Sequence, residues 1–142
     1  MQIHIRCISC NFGNYTLVYS YMLSHTCDAI VVACIDFRFQ QYIRDWTNRY
    51  LVGKTFDLVG FAGSTKELGV VLEQIDISAR LHHISQVVLI HHEECGAYGA
   101  ESTYGKHAED LRLAGKAINT AYPQVNVSLY YLLLNGTFKQ VN

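Results

Sequence analysis

Ala29-Ile30-Val31-Val32-Ala33-Cys34-Ile35 is an unbroken apolar run rich in β-branched side chains. It does not alternate, so both of its faces must be buried, as in a strand inside a parallel sheet. Gln86-Val87-Val88-Leu89-Ile90-His91 repeats the pattern. Between these runs, residues 39–51 read as an amphipathic helix, with Tyr42, Ile43, Trp46 and Tyr50 on one face and Gly53 closing it. Residues 56–62 form another strand, and Gly63-Ser64 turns the chain. Ser64 or Thr65 is placed to cap a helix running to about His82, with a stripe of Leu68, Val71, Leu72, Ile75 and Ala79. Residues 96–105 read as a loop, 108–122 as a helix ended by Pro123, and 125–134 as a fourth strand. Asn135-Gly136 predicts a tight turn, with residues 137–141 returning as a short edge strand. Strands alternating with helices predict βαβ units, hence an α/β fold with a mainly parallel sheet.

The chain has 142 residues, half of them hydrophobic and 16% charged, which suits one domain with a normal core. A formal net charge of -1 leaves no basic footprint for nucleic acid. No apolar run reaches the roughly 18 residues of a membrane span. Five cysteines, an odd number, argue against a secreted disulfide framework and for a reducing compartment, the cytoplasm. The ten tyrosines and the low charge leave much apolar surface, which points to a homodimer or higher homo-oligomer. Residues 27–142 therefore read as one α/β domain, preceded by residues 1–26 as an arm or leader. Within the arm, residues 1–6 alternate loosely, 11–14 are turn-like and 15–23 are apolar without a clean period.

Chemistry concentrates in two segments, Cys34-Ile35-Asp36-Phe37-Arg38 and His92-Glu93-Glu94-Cys95-Gly96. Each follows a buried strand, and sites in open parallel sheets form beyond the carboxyl ends of strands, where the strand order reverses. If the two strands are neighbours, Cys34, His92 and Cys95 converge there. Two thiolates and an imidazole are a ligand set for Zn2+ with one position left over, the pattern of a catalytic rather than a structural site. Asp36 is within reach of the same metal. It could close the site as a fourth ligand, or be held by Arg38 in a two-pronged ion pair and accept a hydrogen bond from the metal's water. The residue-by-residue alternatives are a core cysteine, a strand-end ion pair and a satisfied polar cap; their joint occurrence at two strand ends favours the metal site.

These residues resemble the β-class carbonic anhydrases, which carry Cys-x-Asp-x-Arg after the first core strand and His-x-x-Cys-Gly after the third. The matches are Cys34, Asp36, Arg38, His92, Cys95 and Gly96, and the similarity extends over about residues 28–141. The resemblance implies a four-stranded mainly parallel sheet flanked by helices, with an added antiparallel edge strand, and an obligate dimer or larger assembly. It implies zinc held by Cys34, His92 and Cys95, with Asp36 and Arg38 as catalytic residues. The implied reaction is reversible hydration of carbon dioxide to bicarbonate by a zinc-bound hydroxide. Phe37, Ala62, Gly63 and Gly96 would line the substrate pocket, and His91, Tyr98 and His107 are candidates for proton transfer.

Departures from the family pattern make that pocket more apolar. Phe37 stands where the family commonly has serine, and Gly60-Phe61-Ala62-Gly63 replaces Arg-Asn-Ala-Gly. Hydrolysis of carbonyl sulfide or carbon disulfide, or a zinc-holding protein without turnover, are the alternatives. Cys7-Ile8-Ser9-Cys10 is a Cys-x-x-Cys without a second pair. His82-His83 ends a helix, where a cation suits the macrodipole, and Glu93-Glu94 is expected to be solvated.

Overall fold

The computed structural model describes residues 25–142; the readings of residues 1–24, including Cys7 and Cys10, lie outside them. Five strands form one sheet: β1 (Ala29–Ala33), β2 (Phe56–Gly60), β3 (Gln86–His92), β4 (Asn126–Leu132) and β5 (Phe138–Gln140). Their order is β2-β1-β3-β4-β5, with β5 antiparallel and every other pair parallel. The α/β fold with its antiparallel edge strand is thus as expected. The chain leaves β1 toward β2 and then crosses to β3 on the other side. The order therefore reverses between β1 and β3, which are hydrogen-bonded neighbours.

The period of two decides what each strand buries. Ala29, Val31 and Ala33 of β1, with Val88 and Ile90 of β3, meet Phe39, Ile43 and Leu51 on one face. The helix there is α1 (Gln40–Tyr50), entered through a single turn at Phe37–Phe39. Ile30, Val32, Val87 and Leu89 face the other way, onto α2 (Leu68–His82) and α3 (Tyr104–Ala121). On α1, Ile43 is buried, whereas Tyr42 and Tyr50 are half-exposed. Trp46 stacks between Tyr50 and Phe138, docking the helix on the β4–β5 hairpin. Among the described residues, no helix is long and apolar enough to cross a membrane.

Three local readings are corrected. Helix α2 starts at Leu68 with Glu67 before it, and neither Ser64 nor Thr65 caps it. Gly63 and Ser64 both take left-handed backbone conformations, at φ +78° and +55°, so this turn faces the sheet end instead. Helix α3 begins at Tyr104, four residues earlier than expected, because Thr103 accepts a hydrogen bond from the Lys106 amide and caps it. Glu94 is exposed, as expected, whereas Glu93 is only half-exposed. Glu93 Oε2 accepts from Leu134 N at 2.9 Å, and Glu94 meets Arg38.

The turn at Asn135-Gly136 forms as expected, with Leu133 N donating to Thr137 O and Asn135 Oδ1 accepting from Thr137 N. Gly136 sits at φ +84°, and a Cβ there would lie 2.6 Å from the Tyr42 ring. Gly136→Ala is expected to cost about 1–2 kcal/mol, because the left-handed backbone persists even if the ring swings aside. Urea titration checks this: the midpoint should fall while the slope stays constant.

Candidate metal centre

Cys34 follows β1 directly, and His92 closes β3, so neighbouring strands deliver both to the crevice. Cys95 reaches it through a tight turn in which Glu94 takes φ +53°. One ligand atom from each of Cys34, His92 and Cys95 lies within 4.8 Å of the others, and all three residues are buried. The two Sγ atoms are 3.9 Å apart.

The donor set fits a metal ion on its own chemistry. His92 Nδ1 lies 2.8 Å from Glu93 O, so this nitrogen carries the ring proton. That leaves Nε2 a bare lone pair. Among the described residues, it is the buried side-chain nitrogen or oxygen without a hydrogen-bond partner. A ligating histidine that donates its other N–H to a carbonyl is the usual arrangement at metal sites. The ring packs against Phe39 at a tilt of 33°, 4.2 Å between centroids, which restrains its plane. The Cys34 thiol is held well below its ordinary range, first by the Cys95 thiol beside it, with His92 and the Gly63 amide adding to this against burial. The Cys95 thiol is pushed up by the adjacent Cys34 and by burial. A bound cation would favour the ionised form of both sulfurs.

Asp36 and Arg38 form the two-pronged pair. Nε and Nη2 of Arg38 approach the carboxylate at 3.1 and 2.8 Å. Asp36 Oδ1 also accepts from the Arg38 amide at 3.0 Å, capping the turn that leads into α1. The Arg38 side chain is the main cause holding the Asp36 carboxyl below its usual range. Asp36 Oδ2 lies 4.0 Å from His92 Nε2, beside the cluster. Arg38 Nη2 also donates to Glu94 O at 3.0 Å, so one guanidinium joins both motifs.

The remaining expected residues surround this centre unevenly. Gly63 is buried, and its amide donates to Cys34 Sγ at 3.3 Å. A Cβ on Gly63 would lie 3.1 Å from Ala97 Cβ, so the two loops approach closely there. Ala62 and Gly96 are exposed, and Phe61 is half-buried. Phe37 is 85% exposed. His91, Tyr98 and His107 are buried behind the cluster. Burial pushes His91 down to about 3 and His107 down to about 4, and it pushes Tyr98 up, with Asp110 adding to the last. None of the three titrates in the neutral range.

Sequence reasoning missed four supports. Gln40 Nε2 donates to the carbonyls of Cys34 and Asp36, at 3.0 and 3.1 Å. Lys66 Nζ donates to Ala97 O. Thr65 Oγ1 pairs with His91 Nε2, and Ser102 Oγ accepts from Cys95 N. Gln40 follows the first motif closely but lies outside it, and the other contacts join distant segments or a loop without a motif, so no local pattern announces them.

Sheet and donor set define an α/β protein with a Cys-His-Cys cluster that could hold a metal ion, at the switch point of a mainly parallel sheet. The chain belongs to the carbonic anhydrase family: residues 24–142 match the model described as "Putative carbonic anhydrase". It is 28% identical, over 131 residues, to an uncharacterized protein of Rickettsia bellii, covering 79% of this chain and 80% of that one. The fold is shared with the carbonic anhydrase of Streptococcus mutans, at a TM-score of 0.61 and 19% identity, covering 92% of this chain and 88% of that one. It is also shared with the tetrameric β-carbonic anhydrases of Sordaria macrospora, at a TM-score of 0.54 and 16% identity, covering 83% and 82%.

Proposed function

We propose that this protein is a zinc-dependent carbonic anhydrase that hydrates carbon dioxide reversibly to bicarbonate. The observation that carries the reading is the buried, partnerless His92 Nε2 between two thiols, with Asp36 held by Arg38. Cys34, His92 and Cys95 would hold zinc and leave one coordination position free. Zinc in such sites lowers the pKa of water to about 7. The chain's own residues do the rest. Asp36, kept ionised by Arg38, would accept a hydrogen bond from the attacking water and orient it toward carbon dioxide. Arg38 fixes the Asp36 rotamer and, through Glu94, its distance from the second motif. Phe37, Ala62, Gly63 and Gly96 form the rim where a small apolar substrate enters.

Ile35, Phe37 and Leu58 are 61%, 85% and 61% exposed, the last on the edge strand β2. We read these side chains, two of them beside the metal cluster, as the face a second copy of this chain would cover, walling the pocket at Phe37. A homodimer or larger homo-oligomer is therefore part of the reading, as is a cytoplasmic location, which rests on the cysteine usage. Light scattering that gives only monomer mass would overturn the assembly.

Stopped-flow hydration of carbon dioxide between pH 6.5 and 9 tests the function. Turnover is expected from neutral pH upward, because Arg38 grips both carboxylate oxygens of Asp36. Arg38→Ala should lower the neutral-pH rate by about 10- to 100-fold and confine activity to the alkaline end. Background rates at full zinc occupancy would sink the enzymatic reading. Parallel assays on carbonyl sulfide address the apolar rim at Phe37 and Phe61.

A further inference from the structure

β3 ends in two consecutive histidines that point to opposite faces. His92 joins the thiols, and His91 enters the interior beneath α3. There it sits in an unbroken line of polar atoms. Thr65 Oγ1 lies 2.7 Å from His91 Nε2. His91 Nδ1 lies 2.9 Å from His107 Nδ1. His107 Nε2 lies 3.0 Å from Ser102 Oγ, which also accepts from Cys95 N at 2.7 Å. Thr65, His91 and His107 are at most 3% exposed, which leaves water little access to them. Both ends reach the thiolates. Thr65 belongs to the turn whose Gly63 amide donates to Cys34 Sγ, and Ser102 holds the Cys95 amide.

The line has a direction. A neutral imidazole has one donor and one acceptor nitrogen. The Thr65 amide also points at His91 Nε2, at 3.4 Å, and an amide can only donate. His91 Nε2 therefore accepts, and the ring proton sits on Nδ1. His107 Nδ1 must then accept, so His107 carries its proton on Nε2 and donates to Ser102 Oγ. The two lone pairs of Ser102 Oγ thus receive one N–H from His107 and one from Cys95.

We propose that Thr65, His91, His107 and Ser102 are positioning residues for the thiolate pair: a one-way hydrogen-bond chain that fixes the Gly63 turn against the Cys95 amide. This rests on the zinc reading for what the thiolates hold, while the chain itself stands on the distances alone. A positioning defect acts before any turnover, on metal affinity and on the ligand field.

Two measurements test it. Long-range 15N–1H correlation on metal-free protein labelled at histidine should show His91 protonated at Nδ1 and His107 at Nε2. The opposite pattern overturns the chain and leaves the zinc reading intact. Cobalt(II) is then titrated into the wild type, Thr65→Val, Thr65→Ser and Ser102→Ala. Thr65→Val and Ser102→Ala should bind about 10-fold or more weakly and shift the thiolate-to-cobalt absorption, and Thr65→Ser should restore both. Wild-type affinity and spectrum in Thr65→Val and Ser102→Ala overturn the positioning role. A wild type without thiolate-to-cobalt absorption overturns the metal reading and, with it, that role, whatever the tautomers.

Discussion

Cys34→Ser should leave a folded protein that retains almost no zinc and hydrates carbon dioxide at the background rate. Serine matches cysteine in shape, so the buried end of β1 should tolerate it, and far-UV circular dichroism should not change. The chemistry does change. A hydroxyl does not ionise at neutral pH, whereas the Cys34 thiol is held below its ordinary range. The Gly63 amide and the Cys95 thiol would then face a neutral oxygen. Two of three soft donors remain, and Zn2+ favours thiolate and imidazole over hydroxyl. Losing a ligand should weaken binding by more than the 10- to 100-fold that outer contacts typically contribute. Metal analysis after dialysis should fall from about one zinc per chain toward none. A variant that keeps one zinc per chain would show that the ligand set has been misassigned.

Acid should destabilise the metal-free protein steeply, and His107 should account for about 3 kcal/mol of it. Burial is the main cause that pushes this imidazole from 6.5 down to about 4, with His92 adding to it. The unfolded chain therefore takes up this proton at a higher pH than the folded one. The contribution is whole above pH 6.5 and is lost as the pH falls from 6.5 toward 4, at up to about 1.4 kcal/mol per pH unit. Urea midpoints at pH 7, 5.5 and 4.5 measure it, and removing the metal keeps zinc release out of the comparison. His107→Gln retains hydrogen-bonding capacity without a titrating ring, so its stability should fall less over the same interval. An unchanged acid profile in that variant would remove His107 from the account.

The central strands were legible because burial on both faces demands a particular composition, and residues 29–35 and 86–91 have it. The centre was legible because Cys34, His92 and Cys95 follow such strands, where the topology leaves a crevice. Cap chemistry was misread for a physical reason. Ser64 and Thr65 precede an apolar stripe as caps do, but two successive left-handed residues at 63 and 64 turn them toward the sheet. Thr65 thereby gains a histidine partner rather than a helix. The start of α3 was hidden because Gly105 lies in its first turn, and glycine argues against helix. The Arg38–Glu94 and Ser102–Cys95 contacts depend on how two loops meet, and no periodicity encodes that.

The paired imidazoles at the end of β3 impose a constraint of phase on this protein. Slipping the strand by one residue would turn both rings to the wrong face, and only one of them would land where the other now sits. Slipping by two would restore the faces but carry both rings about 6.6 Å along the sheet, away from every partner they have. Insertions and deletions before His91 must therefore be absorbed in the turn ahead of Gln86, because the strand has no second register in which both rings are satisfied.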